Sequence, residues 1–102
     1  MKKIIISILA VSIHMGALAM GDALRGQELT RNCAGCHGMN GVPVQPMHPV
    51  LAGQKEMYLV SQITAFRDET RINPIMNQMV KNLTDQDIQD IAAYYSTINL
   101  CQ

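Results

Sequence analysis

The chain has 102 residues, enough for one small domain, and its 8 Lys and Arg balance its 8 Asp and Glu. That balance offers no basic face for nucleic acid. With no Trp, and with aromatics limited to Tyr58, Phe66, Tyr94 and Tyr95, a chain of this size buries little core by itself and needs a further staple.

The first stretch is not domain. Lys2-Lys3 forms a basic start, Ile4 to Leu18 is almost wholly apolar, and Ala17-Leu18-Ala19 is a small-residue cleavage site. Residues 1–19 are predicted to be a secretory signal peptide cut after Ala19, and residues 20–102 the domain. A retained membrane anchor is the alternative, but the segment is short for a span. No second long apolar run follows, so no stable membrane insertion is expected after cleavage. Loss of Lys2 and Lys3 takes the basic count from 8 to 6 against 8 acidic residues, a net charge of −2. The expected compartment is the bacterial periplasm.

Asp22 is a plausible N-cap for a first helix running to about Cys33. Gly26, Leu29 with Thr30, and Cys33 share one face of it. A glycine inside a helix marks close approach by another element, or else a tolerated surface position.

Next comes Cys33-Ala34-Gly35-Cys36-His37, which reads C-x-x-C-H, the signature for covalent haem attachment. Two thiols, Cys33 and Cys36, add across the two vinyl groups of a haem and become thioethers. His37 then supplies an imidazole nitrogen to the iron as one axial ligand. A redox disulfide is one alternative, but it wants a βαβ context that the chain does not show. Half a zinc site is another, but it wants a second ligand pair at short spacing.

From Gly38 to Gly53, glycines and Pro43, Pro46 and Pro49 punctuate a loop of the length that usually carries function. Lys55 to about Glu69 reads as a second helix, with Leu59, Val60, Ile63 and Phe66 on one face. Thr70 to Pro74 breaks it, and Ile75 to Asn82 reads as a short helix or turn carrying Met76 and Met79. Thr84-Asp85-Gln86-Asp87 resembles a capping box with Asp in place of Glu. It opens a last helix ending near Asn99, with Ile88, Ile91, Ala92 and Tyr95 as its buried stripe. The fold class is therefore all-α: a few short helices and loops wrapped around one covalent haem.

The iron needs a ligand opposite His37. Met20, Met39, Met47, Met57, Met76, Met79 and His48 are available. Met76 and Met79 lie far along the chain between two helices, where a segment can cross the other face, whereas His48 reads as an exposed loop histidine. Ordinary core packing is the alternative for each Met.

With these residues in hand, the chain resembles a bacterial class I c-type cytochrome, and most of all the single-haem domain of the cytochrome c-four and c-five group. The resemblance runs through Gly21-Asp22-Ala23 with Gly26-Gln27, Cys33 to Gly38, and Pro49-Val50-Leu51-Ala52-Gly53-Gln54. It continues through Tyr58-Leu59, Phe66-Arg67, Arg71-Ile72-Asn73, Met76 with Met79, Leu83-Thr84-Asp85, and Ala92-Ala93-Tyr94-Tyr95. It implies the cytochrome c fold and one haem c, since the second C-x-x-C-H of two-haem members is missing from this sequence. It implies that the Pro49 carbonyl accepts a hydrogen bond from His37, that Ile91 and Tyr95 touch haem, and that Tyr94 packs against the first helix near Gly26. Counting back from Leu83-Thr84-Asp85, it places the second axial ligand at Met76, with Met79 as the fallback. Many relatives have an aromatic residue where this chain has Leu29-Thr30.

The function so implied is a periplasmic single-haem electron carrier, not an enzyme. It would cycle between Fe(III) and Fe(II) with His/Met ligation between a donor reductase or dehydrogenase and an acceptor oxidase or reductase. The rivals are a fixed electron-transfer subunit of a dehydrogenase or oxidase complex, and a five-coordinate gas-binding or peroxidase-like haem protein. Cys101 is an odd cysteine in an exported chain. A free thiol, a disulfide-linked homodimer and burial behind the last helix all stay open for it.

Overall fold

The computed structural model describes residues 1–12 and 21–100. The cleavage stretch Ala17-Leu18-Ala19, Met20 and Cys101 lie outside the described residues. Residues 1–12 are exposed and carry no helix or strand. The rest forms five helices in chain order: α1 Ala23–Leu29, α2 Arg31–His37, α3 Glu56–Arg67, α4 Pro74–Val80 and α5 Asp85–Thr97. Among the described residues there is no strand, and no helix is long and apolar enough to cross a membrane.

The expected first helix is two helices. The chain breaks at Thr30, whose backbone sits at φ −80°, ψ 1°. Its hydroxyl turns back to donate to the Gln27 carbonyl at 2.7 Å. Its own carbonyl accepts from the Cys33 and Ala34 N–H groups, each at 2.9 Å, and so starts α2. A side chain that bonds its own backbone competes with helix continuation in this way. The short helix expected over Ile75 to Asn82 begins one residue earlier, at Pro74. Proline is pre-set for a first helical position, and Asn73 caps the start by accepting from Ile75 N at 3.1 Å and Met76 N at 3.0 Å.

The capping box of α5 is present as read. Asp87 N donates to Thr84 Oγ1 at 3.0 Å, and Thr84 N donates to Asp87 Oδ2 at 2.9 Å. Two aspartates in the first turn suit the positive end of the helix. The stripe Ile88, Ile91, Ala92 and Tyr95 is fully buried. Each large side chain in it contributes about 1.5–3 kcal/mol by leaving water. Leu59 of α3 completes the central cluster, and Leu29, Cys33, Val60 and Ile63 pack around it.

α1 crosses α5 at Gly26, where a built Cβ would lie 1.9 Å from the Asp90 carbonyl oxygen. Close approach, not a tolerated surface glycine, is therefore the reason for it. Tyr94 shares a surface groove with Gln27, Glu28 and Thr30 beside this crossing.

A polar clamp absent from the sequence reading secures the same crossing. The Asp90 side chain is 1% exposed. It accepts from Asp22 N at 2.7 Å, Arg25 Nη1 at 2.6 Å and Gln86 Nε2 at 2.8 Å. Arg25 Nη2 also reaches Asp87 at 2.7 Å. Burial pushes the Asp90 carboxyl up, but the Asp22 N–H and the Arg25 and Gln86 side chains outweigh it and hold the group below its ordinary range. The Thr84 N–H, and then Arg25, hold Asp87 low as well.

A depressed folded value contributes stability that is fully present above the ordinary carboxylate range and is lost as pH falls through the folded value. Asp90→Asn should therefore cost about 3 kcal/mol at neutral pH, because it uncouples a buried charge network. The gap to wild type should close in acid. Denaturant unfolding of both proteins across the acid range measures this, and a gap independent of pH would remove Asp90 from the clamp.

Candidate functional site

α2 is barely two turns long and carries the whole C-x-x-C-H motif. One turn brings Cys33, half-buried, and Cys36, exposed, to a common edge, with His37 buried just beyond them. Both cysteines are free thiols. Burial pushes the Cys33 thiol up, the reverse of what a disulfide-exchange nucleophile requires. Among the described residues, no group of three or more His, Cys, Asp or Glu could hold a metal ion by itself.

His37 Nδ1 lies 3.0 Å from the Pro49 carbonyl oxygen. A carbonyl only accepts, so Nδ1 carries the proton and Nε2 is the nitrogen left to act as a ligand. The loop that supplies Pro49 is folded back on itself. Leu51 N and Ala52 N donate to the Gly41 carbonyl at 2.9 and 3.1 Å, and Gly53 N donates to the Tyr95 carbonyl at 2.9 Å. Gly41 adopts φ +77°, and a Cβ there would meet Tyr95 Cδ1 at 2.9 Å, so glycine is required on both counts.

His48 is not the exposed loop residue expected. It is half-buried, its Nδ1 is buried without a hydrogen-bond partner among the described residues, and its ring lies 6.1 Å from that of His37. The punctuated loop folds inward against His37, and proline spacing alone does not reveal that.

On the opposite side of the sequence, Met76 is half-buried on α4, whereas Met39, Met47, Met57 and Met79 are exposed. The Met76 segment is pinned through asparagines that sequence reasoning passed over. Asn77 Nδ2 donates to the Phe66 carbonyl at 2.7 Å and to the Arg71 carbonyl at 2.9 Å, and Asn73 N donates to Asn77 Oδ1 at 2.9 Å. The Asn73-Pro74 pair was the available signal, since Asn before Pro is a helix-start pattern. The fold brings Ile91, Tyr95 and Cys33 into one apolar cluster, while His37 meets Pro49 and His48.

The residues fit an apolar group fixed by two sulfurs and one imidazole. The two thiols stand a helical turn apart, and a tautomer-fixed histidine follows them. The buried Tyr95 hydroxyl, whose polar neighbours are Thr30 and Cys33, has no hydrogen-bond partner among the described residues.

The family model for cytochrome c matches residues 23–99. Cytochrome c-554(548) of Halomonas halodenitrificans is 44% identical over 80 residues, covering 76% of this chain and 96% of that protein. Cytochrome c4 of Pseudomonas aeruginosa is 41% identical over 98 residues, covering 95% of this chain and 49% of the relative. Among solved structures, cytochrome c4 of Acidithiobacillus ferrooxidans superposes with TM-score 0.72 at 34% identity, over 81% of this chain and 53% of that one. Thiosulfate dehydrogenase of Marichromatium purpuratum gives 0.68 at 32% identity, over 74% of this chain and 18% of that one. The chain thus spans nearly all of the Halomonas protein and about half of the cytochrome c4 proteins it matches.

Proposed function

This chain belongs to the cytochrome c family, and from that premise we propose how its residues hold and use the cofactor. It is an electron-transfer protein with one covalent haem c, it acts with redox partner proteins, and it is not an enzyme. When bound, haem c supplies an iron that takes up and releases one electron.

Cys33 and Cys36 hold the group. Each sulfur would hold a vinyl position of the haem through a thioether bond. His37 would hold the iron through Nε2, with the Pro49 carbonyl at Nδ1 fixing tautomer and ring angle together. Met76 would hold the iron through its thioether sulfur, and Met79 would not. Ile91 and Tyr95 form the apolar wall that excludes water. An iron held by both His37 and Met76 would offer no open position to oxygen or peroxide, and the thioether would favour the reduced state.

The observation that carries this reading is the buried His37, held by Pro49 at 3.0 Å directly after two free cysteines on one short helix. Acid–acetone extraction of periplasmically matured protein should leave the colour on the polypeptide. The reduced spectrum should barely change under carbon monoxide. Colour that extracts cleanly would remove Cys33 and Cys36 as attachment points, and a strong carbon monoxide response would turn the reading to a five-coordinate haem protein.

Bacterial c-type cytochromes of this kind are typically periplasmic. The Lys2-Lys3 leader with its A-x-A site supports export of this chain to that compartment, with cleavage after Ala19. Docking through the cofactor edge near Cys33 and Cys36 is supported by the adjoining loop. Residues 38–54 contain no Asp, Glu, Lys or Arg, and Met39, Val44 and Met47 stand exposed on it. Small, desolvated contacts suit brief redox encounters.

The likeness to thiosulfate dehydrogenase favours a second reading, in which the chain is a fixed electron-transfer component beside a dehydrogenase. Co-purification from the periplasm at high salt separates a fixed component from a free carrier. A homodimer linked through Cys101 is a further reading carried by the odd cysteine. Non-reducing electrophoresis beside Cys101→Ser decides it.

A further inference from the structure

Tyr95 is fully buried at 1% exposure, yet its hydroxyl has no hydrogen-bond partner among the described residues. Buried hydroxyls without partners are rare, because losing water without replacement is unfavourable. The ring cannot turn the hydroxyl elsewhere easily. Gly41 lies against one edge, and α5 fixes the backbone on the other side.

The polar neighbours of the hydroxyl are Thr30 and Cys33. Thr30 donates its own proton to the Gln27 carbonyl at 2.7 Å, so toward Tyr95 its hydroxyl oxygen can only accept. Cys33 sits in the same apolar cluster as the Tyr95 ring. A free Cys33 thiol is both a weak donor and a weak acceptor, but a Cys33 thioether is an acceptor only. With Thr30 and an attached Cys33 both acceptors, the Tyr95 O–H is the donor left among the three groups.

We propose that the Tyr95 hydroxyl donates a hydrogen bond to the Cys33 thioether sulfur, making Tyr95 a positioning residue that fixes the cofactor edge and biases it toward the reduced form. The bond draws electron density from the sulfur, so it is stronger when the added electron makes the macrocycle richer. One electron enters on reduction, and Tyr95 keeps its proton in both states. Burial pushes the phenol well above its ordinary range, so it keeps its proton at neutral pH.

The inference rests on attachment at Cys33, and the experiment tests the two separately. Tyr95→Phe keeps the ring and removes only the O–H, and Tyr95→Leu removes both. Acid–acetone extraction of all three proteins comes first, and colour retained on the polypeptide shows that attachment holds. At a fixed ambient potential, the reduced-to-oxidised ratio of Tyr95→Phe should then fall about threefold, as expected where a modest hydrogen bond distinguishes two charge states. Resonance Raman of wild type in D2O should shift a thioether C–S mode, and Tyr95→Phe should show no such shift. Colour retained with an unchanged ratio and no isotope-sensitive C–S mode in wild type would overturn the proposal. So would an isotope shift confined to a propionate mode, which would assign the hydroxyl to the carboxylate. Colour that extracts in wild type would overturn the attachment reading first, and the proposal with it.

Discussion

Met76→Ala should abolish the low-spin methionine signature of the ferric protein and lower its reduction potential, while Met79→Ala leaves both in place. Axial ligands set haem potentials over a range approaching 0.8 V, so a loss on the order of 100 mV or more is expected. The contrast between the two methionines is physical. Met79 is exposed, so its removal exposes little apolar surface. Met76 is half-buried on the first turn of α4, its N–H held by Asn73 at 3.0 Å. Asn77 ties the same turn to the carbonyls of Phe66 and Arg71, so the segment is fixed before any sulfur is called on to ligate. A ligand held in place in advance costs less entropy to use. The near-infrared charge-transfer band of the oxidised variants checks the assignment. If Met76→Ala retained that band and Met79→Ala lost it, the ligand would be Met79.

The parts legible in the sequence were those written within a few residues. C-x-x-C-H spans five positions, and its chemistry follows from residue type and order. The α5 capping box spans four positions, and its two reciprocal bonds form as read. The stripe Ile88, Ile91, Ala92 and Tyr95 follows helical period, and the structure buries all four. What stayed illegible was non-local. Asp90 meets Asp22 and Arg25 across 68 and 65 residues, and nothing near Asp90 in sequence marks it as buried. Thr30 carries the break between α1 and α2, but a threonine at that spacing reads equally well as a helix face residue. His48 was misread because prolines signal a loop without saying which way the loop folds. The relation between Tyr95 and Cys33 needed three elements in place at once: α2, α5 and the Gly41 turn.

Gly26→Val should destabilise the folded protein by more than about 3 kcal/mol, whereas Gly35→Ala should be neutral or stabilise by up to about 1 kcal/mol. Both glycines lie within helices, so propensity alone favours replacing each. Their surroundings differ. At Gly26 a Cβ would lie 1.9 Å from the Asp90 carbonyl oxygen, 2.4 Å from its carbon and 3.0 Å from Ile91 N. Those are backbone atoms of α5, which cannot rotate aside as a side chain can, so α1 must lift away. Lifting it separates Asp22 and Arg25 from Asp90, leaving a buried carboxylate short of donors, and opens the face where Leu29 meets the central cluster. At Gly35 nothing lies within 4 Å of the built Cβ, and the position is exposed, so alanine should only reduce the freedom of the unfolded chain. Denaturant midpoints of the three matured proteins provide the comparison. The covalent cofactor stays attached to the unfolded chain, so the haem absorbance can report unfolding without dissociation. A Gly26→Val midpoint equal to that of wild type would mean that α1 does not cross α5 at backbone contact, and the clamp through Asp90 would then have to hold the helices by itself.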